Sequence, residues 1–474
     1  MLFCSPQFCL FFLVLFFTYW ILPWHKARVY LLLAASFYFY ACWDYRLAFV
    51  LSASTLMDYL IARAMEKWSA ARPRKLLLLA SLVMNLGLLC WFKYMNFFLR
   101  SLETAAGAAN LHLSLPVLQV ILPIGISFYT FEAINYTVDV YTRKIRAERN
   151  LAHFMLFILF FPHLVAGPIV RARDFLPQVA RRKRWSWRRA NAGAWLILIG
   201  LFKKLAIADR MALYVDPVFA GSESYGSHAL WLATIAYALQ VYCDFSGYTD
   251  MALGLAHLLG YHLAPNFNLP YLSANIGEFW RRWHISLSSW LRDYLFIPLG
   301  GSRGGRWRTC RNLMVVMLLG GLWHGASWTF VAWGLLHGAL LIGHRAWQRL
   351  CQGRPWLDRV RATTPGKALC IATTFACVCA GWVLFRAPTI TAAGQILYRL
   401  AIPSGGQEMP MHLGGLYLTF AFVALCHFLG DRERWVDLWE YLPLWLRGLS
   451  FGTAATLALI VAPNASKAFI YFQF

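Results

Sequence analysis

Leu313-Met-Val-Val-Met-Leu-Leu-Gly-Gly-Leu-Trp-His-Gly-Ala-Ser-Trp-Thr-Phe-Val-Ala-Trp-Gly-Leu-Leu-His-Gly-Ala-Leu-Leu-Ile-Gly-His344 is an apolar run with Arg303, Arg306, Arg308 and Arg311 on one side and Arg345 and Arg349 on the other. One passage through about 30 Å of hydrocarbon takes about 20 helical residues, so the run is too long for one span and rather short for two. Arginines at both ends put both ends on the cytoplasmic face. With Gly320, Gly321 and Gly325 as breaks, the stretch reads as a kinked or re-entrant hairpin with His324 near its turn. Trp323 and Trp328 wall that histidine, which sets an imidazole inside an aromatic pocket at membrane depth.

The rest of the chain has the composition of a membrane protein. Hydrophobic residues make up 59% of the 474, aromatic residues 17% and charged residues only 14%. No soluble domain has that balance. Apolar stretches of spanning length recur throughout, so the expected fold is an all-α polytopic integral membrane protein forming a single domain over residues 1–474. The formal net charge of +23 comes from 44 Lys and Arg residues gathered mostly between apolar spans. That is positive-inside patterning and gives no footprint for nucleic acid. The eleven cysteines show no CxxC or other ligand spacing and read as small buried hydrophobes, so no metal is expected. Phe8–Leu22 lacks a basic leader and a cleavage site and reads as a retained first span.

Placing basic clusters in the cytoplasm gives a topology. Phe8–Leu22 enters, Val29–Trp43 leaves and Leu47–Ile61 returns to Arg63, Lys67, Arg72, Arg74 and Lys75. Leu76–Leu99 goes out and Val117–Tyr141 comes back to Arg143, Lys144, Arg146 and Arg149. Leu151–Val170 then has basic residues at both ends, and Pro162, Gly167 and Pro168 break it, which predicts a re-entrant loop. Ala192–Ala208 and Leu230–Leu255 leave and return; after the hairpin, Leu369–Phe385, Leu416–Leu429 and Leu449–Ala462 leave residues 464–474 outside. The sum is about ten crossings plus two re-entrant elements.

Residues 265–310 are less apolar and read as a cytoplasmic or interfacial helical layer. Phe279, Trp283, Leu287, Leu291 and Tyr294 recur every three or four positions, while Arg281, Arg282, Ser289 and Arg292 fall elsewhere on the wheel. Such a helix serves as a wall of a substrate funnel or as an interfacial anchor, and periodicity alone favours the anchor. The loop Gly300-Gly-Ser-Arg-Gly-Gly-Arg306 offers backbone amides and arginines to the phosphates of a nucleotide-like cofactor, or is a flexible positive-inside loop. The chain has no H-E-x-x-H, G-x-S-x-G or G-x-x-x-x-G-K-[ST], which leaves zinc proteolysis, an α/β-hydrolase elbow and a Walker loop without support. Of thirteen histidines, most, such as His153, His257 and His427, read as packed or interfacial. His324 stands apart because intramembrane ionisable groups are functional candidates, and a neutral imidazole there suits proton abstraction from an alcohol.

Several long runs carry a resemblance. Gln240-Val-Tyr-Cys-Asp-Phe-Ser-Gly-Tyr-Thr-Asp250, Asn266-Phe-Asn-Leu-Pro-Tyr271, Phe279-Trp-Arg-Arg-Trp-His-Ile-Ser-Leu-Ser288 and Leu322-Trp-His-Gly-Ala-Ser-Trp328 resemble the membrane-bound O-acyltransferase family, nearest its bacterial alginate O-acetyltransferase branch. Pro123-Ile-Gly-Ile-Ser-Phe-Tyr-Thr-Phe131 and Phe161-Pro-His-Leu-Val-Ala-Gly-Pro168 fit as well, in the right order over almost the whole chain. The resemblance implies a ring of tilted helices around a thinned centre, with funnels from both faces meeting at the catalytic histidine. His324 matches that histidine. His284 matches a second signature position, a histidine in the bacterial branch and usually an asparagine in eukaryotic relatives, which favours a positioning role over a basic one.

Acyl transfer across the membrane follows as the expected function. Acetyl-CoA is the expected donor, with Arg281, Arg282, Arg303 and Arg306 near its phosphates and the thioester at His324. Trp323 and Trp328 would exclude water, and the polar cluster Asp244, Ser246, Tyr248 and Asp250 would orient substrate or His324, or form a helix-packing network. The tail Phe469-Ile-Tyr-Phe-Gln-Phe474 offers Tyr471 as a phenolic acyl carrier to an exported acetyltransferase partner, or an interfacial aromatic belt. The bacterial inner membrane is the expected location and its lipid a partner. D-alanyl or peptidoglycan acyl transfer uses the same chemistry. A transporter with His324 and His284 as relay groups, and a non-catalytic export scaffold, are the other classes, although no internal repeat relates the halves. The enzyme reading requires His324 to be reachable from two opposite compartments.

Overall fold

The computed structural model describes residues 1–474 except 2, 112, 166, 431–441, 462–468 and 470–474. Among the described residues the fold is helical throughout, with no strand and one isolated bridge between Tyr225 and Gln407. Tyr45–Lys67, Ala71–Ala108 and Thr364–Arg386 are long and apolar enough to cross a membrane, and Pro6–Ile21 and Leu413–Leu429 are shorter apolar helices. Contacts divide the chain into two compact units, Met1–Ile197 with Met251–Ala264, and Leu198–Asp250 with Pro265–Phe474.

In the first unit the helices start where the sequence supplies caps. Ser5 accepts from the Phe8 amide, Asp44 from the Arg46 amide and Asn150 from the Ala152 amide. The fifth apolar stretch becomes helical only at Ile126–Tyr141, later than the Val117 start read from hydropathy. Pro123 has no N–H to give to a helix, and Gly125 takes φ 74°, where a Cβ would strike the Leu164 carbonyl oxygen.

The broken element at Leu151–Val170 is present. A helix over Leu151–Leu159 gives way to a short turn at Phe161–Leu164, and the described residues from there to Val170 are non-helical. The freed backbone is satisfied by buried side chains. Glu132 Oε1 accepts the Val170 amide at 2.9 Å, Asn135 Nδ2 donates to the Val170 carbonyl at 3.0 Å, and Ser36 Oγ accepts the Phe161 amide at 3.2 Å. The basic end of the third span meets the end of the fifth: Arg74 donates to the carbonyls of Val140 and Tyr141, both at 2.9 Å, and elsewhere in the unit Arg28 donates to that of Lys183 at 3.1 Å.

The second unit holds the hairpin. Its first arm is Gly305–His324 and its second is Trp328–Cys351, with the break at residues 325–327. The arms extend past the apolar bounds at both ends because arginine stems can lie along a helix while their heads reach water. Gly320 and Gly321 are helical and do not break the chain; Gly325, extended at φ −165°, does. Gly321 and Gly334 bring the two arms together instead. A Cβ at Gly321 would run into the Phe330 carbonyl oxygen, and one at Gly334 into that of Met317. Small residues of this kind let helix backbones approach closely where water supplies no driving force.

The stretch read as one amphipathic helix is two, Ile276–Arg282 and Ile285–Leu291, broken at Trp283 and His284. Four of the five residues of its apolar face, Phe279, Trp283, Leu287 and Leu291, are buried, while Tyr294 is half-buried and Arg281 and Arg292 are exposed. Trp283 is 1% exposed beneath Trp382, Phe267 and Tyr271, so it is a packed residue and no headgroup anchor. On the face assigned to the exterior, Ser227 N donates to the Ser404 carbonyl at 3.0 Å, Arg399 to that of Ser222 at 2.8 Å, and Arg386 pairs with Asp216 at 2.9 Å.

Candidate functional site

His324 is the last residue of the first arm and is 3% exposed. The rings of Trp323, Trp333 and Phe385 pack edge-on against its imidazole, with centroids at 5.0, 5.0 and 5.2 Å. Trp323 packs on the imidazole, as its place next to His324 in the sequence implies. Trp328, 55% exposed at the start of the second arm, does not have the burial of a pocket wall, and the cage is completed by Trp333 and Phe385, which spacing along the chain could not assign.

His284 lies on the other side of Trp323, 5.8 Å between centroids, and is fully buried. Its backbone is left-handed at φ 44°, a conformation that costs an ordinary residue about 1–2 kcal/mol. The Asn266-Phe-Asn segment holds it there: the Ile285 amide donates to the Asn266 carbonyl at 2.9 Å and the Asn268 amide to that of Arg282 at 2.9 Å. Asn266 Oδ1 accepts from the Ser286 amide at 3.1 Å and the Ser286 hydroxyl at 2.8 Å. Only an oxygen can face those donors, so the His284 Nδ1 at 3.2 Å carries the proton and Nε2 keeps the lone pair.

The polar cluster on the preceding long helix is tied by two lysines that sequence reasoning missed. Lys204 Nζ stands 2.7 Å from Asp244 Oδ1 and 2.9 Å from Asp209 Oδ1, with all three residues buried. Lys203 Nζ lies 2.7 Å from Asp250 Oδ2 in a more accessible setting. Both lysines come from a π-helical turn, Phe202–Ala208, inside a run read only as an apolar span. The signal was available: two adjacent lysines in one apolar stretch and two aspartates in the next. Ser246 and Tyr248 are buried beside them, Phe245 packs on His284 at 4.7 Å, and Phe469 of the tail lies on Tyr248 at 4.4 Å. Tyr471 lies outside the described residues.

The four arginines do not form one cluster around His324. Arg281, Arg303 and Arg306 are exposed, and Arg282 pairs with Glu278 at 2.8 Å. Arg303 precedes the first arm and Arg306 lies in its first turn, so Arg306 is about 27 Å along the helix from the imidazole at the opposite end. The Gly300–Arg306 loop is pinned by Asn312, whose Nδ2 donates to the carbonyls of Leu299 and Gly301 at 3.1 and 3.0 Å.

Comparison with known proteins adds to this geometry. Residues 82–382 match the family described as MBOAT, membrane-bound O-acyltransferase family. The chain is 39% identical over 447 residues to a probable alginate O-acetylase AlgI of Pseudomonas syringae pv. tomato, covering 92% of this chain and 84% of that one. It is 37% identical over 392 residues to a peptidoglycan O-acetyltransferase of Helicobacter pylori, 77% and 72% covered. A teichoic acid D-alanyltransferase of Bacillus subtilis is 31% identical over 281 residues, 55% of this chain and 68% of that one.

Proposed function

Because the chain belongs to the membrane-bound O-acyltransferase family, we propose that it moves an acetyl group from cytoplasmic acetyl-CoA to an external acceptor or partner, for O-acetylation of an exported polysaccharide such as alginate or cellulose. It is a multi-pass membrane acyltransferase. The finer reading is one catalytic domain over residues 1–474, about ten crossings in a ring around a central funnel, seated in the bacterial inner membrane. The observation that carries the reading is His324 at the turn of the hairpin with the rings of Trp323, Trp333 and Phe385 against its imidazole; at 3% exposure it is closed in this state, so transfer requires those rings to move.

His324 takes the proton from the acceptor hydroxyl as its oxygen attacks the acetyl carbonyl. The tetrahedral intermediate then collapses, the C–S bond breaks, and the thiolate of coenzyme A receives that proton from the imidazolium. The carbonyl end of the first arm, where His324 sits, favours the positive charge formed midway. Trp323 and the other rings keep water from the thioester. His284 orients through its fixed tautomer, and the lysine-bound Asp244 and Asp250, with Ser246 and Tyr248, hold the helix behind it. Arg281, Arg282, Arg303 and Arg306 supply positive charge on the side from which the donor's phosphates approach, and Trp328 borders the mouth of the pocket.

Replacing His324 with Ala in the purified chain is expected to lower labelled-acetyl transfer by at least about a thousandfold at unchanged expression. Normal transfer by that variant removes the assignment, and solute uptake that tracked His324 would favour the transporter class. The acyl group is proposed to leave through Tyr471 as a phenolic ester and to pass to an exported acetyltransferase partner, so Tyr471→Phe should abolish polymer acetylation while coenzyme A binding is unchanged. Full polymer acetylation by Tyr471→Phe would end the relay idea. Transfer to peptidoglycan is the second reading, favoured by the Helicobacter pylori relative.

A further inference from the structure

Trp333, His337 and His344 lie at intervals of four and seven on the second arm, hence on one face. Helix Ile276–Arg282 packs along that face. Trp280 meets Trp333 at 5.6 Å and His337 at 5.2 Å, Phe279 stacks on His337 at 6.2 Å, and Gly277 lies beneath both His344 and the Arg281 guanidinium. The stripe begins at the exposed Arg281 and ends where Trp333 touches His324. From His344 to Trp333 it measures about 16 Å along the helix.

His337 is fully buried, and neither of its ring nitrogens has a hydrogen-bond partner among the described residues. The indole N–H groups of Trp280 and Trp333, its ring neighbours, have none either. A Cβ at position 381 would stand 2.8 Å from His337 Nε2, so only glycine lets that helix backbone lie so close to the nitrogen. Buried polar groups are normally paired, and a cluster of three that is not paired calls for a partner from elsewhere. A proton relay to His324 is a poor use of it, because the Trp333 ring stands between the two imidazoles at 4.6 and 5.0 Å and carries no titratable group.

We propose that His337, with Trp280 and Trp333, binds the amide-bearing arm of the thioester donor; this rests on the acetyl-CoA reading above. A neutral imidazole offers one N–H and one lone pair, and a secondary amide offers the complementary carbonyl and N–H. The arm of coenzyme A carries two such amides between its phosphates and its sulfur. The stripe has the same order: positive charge at its outer end, nitrogens along its middle, and the acyl-transfer imidazole at its inner end. His337 is therefore a positioning residue for the donor.

The test uses the purified full chain in nanodiscs and equilibrium binding of labelled coenzyme A, competed by pantetheine (the arm alone) or adenosine 3′,5′-bisphosphate (the nucleotide alone). His337→Leu is expected to weaken coenzyme A and pantetheine about tenfold and leave the bisphosphate unchanged, while His337→Gln, which keeps a donor and an acceptor, stays within about threefold of wild type. The unliganded Leu variant should melt at or above the wild-type temperature, because two unpaired nitrogens have been replaced by an apolar side chain. Unchanged coenzyme A binding by His337→Leu, or equal losses for pantetheine and the bisphosphate, overturns the inference. A wild-type chain that binds no coenzyme A overturns the donor reading and this inference together.

Discussion

His284 shows what a single residue's backbone can decide. At φ 44° the tolerated residues are few beyond glycine, and asparagine and histidine are prominent among them. The family resemblance places these same two types at this position, so the left-handed turn gives a physical reason for the pair. With Nδ1 committed to Asn266, the imidazole is held as a fixed hydrogen-bonding element. His284→Asn is therefore expected to keep kcat within about tenfold and leave the pH profile of transfer unchanged, whereas His284→Leu should lose about a hundredfold or more. Equal losses in His284→Asn and His324→Ala, measured as acetyl transfer from pH 5 to 9, would make His284 a second base. His324 and Trp323 were legible in the sequence because glycine, tryptophan and histidine stand together in one apolar run. Trp333, Phe385 and Lys204 were not, because each reaches the site from another turn or helix and no local pattern records that approach.

At the scale of elements, the breaks were more readable than the boundaries. Pro162, Gly167 and Pro168 foretold the interrupted segment at Leu151–Val170, and the hairpin at His324 followed from basic residues at both ends of one apolar run. Hydropathy misplaced the ends of the hairpin arms because arginine stems extend a helix past its apolar residues. It gave glycine a single meaning where the fold uses two: Gly325 turns the chain, while Gly321 and Gly334 let two backbones touch. The layer at 276–291 kept its predicted buried face but lost its continuity, since periodicity cannot register one left-handed residue between two short helices.

For the whole molecule, charge patterning assigns a side to each loop. Segments assigned to the exterior by counting crossings, 209–229 and 386–415, bond to each other through Arg399, Arg386 and Ser227 within the second unit. Segments assigned to the cytoplasm do likewise: Arg345 reaches Ser302 at 3.4 Å. In a background with the eleven native cysteines replaced, Ser224→Cys should react with an impermeant maleimide in intact spheroplasts, and Ser302→Cys only after lysis. The reverse pattern would invert the topology and with it the side from which each substrate arrives. Which polymer is acetylated was not legible in the sequence.

The glycine seam between the hairpin arms restricts how the cage can open. Main chain pressed on main chain at Gly321 and Gly334 cannot part without separating the entire hairpin, so the two arms move as one rigid tongue. Facing them, Trp382 and Phe385 of Thr364–Arg386 meet Trp333 and His324 through rings, which can swing on their own bonds. Any breathing that admits a ligand to the imidazole belongs to that opposing wall, and the tongue serves as the fixed jaw against which it moves.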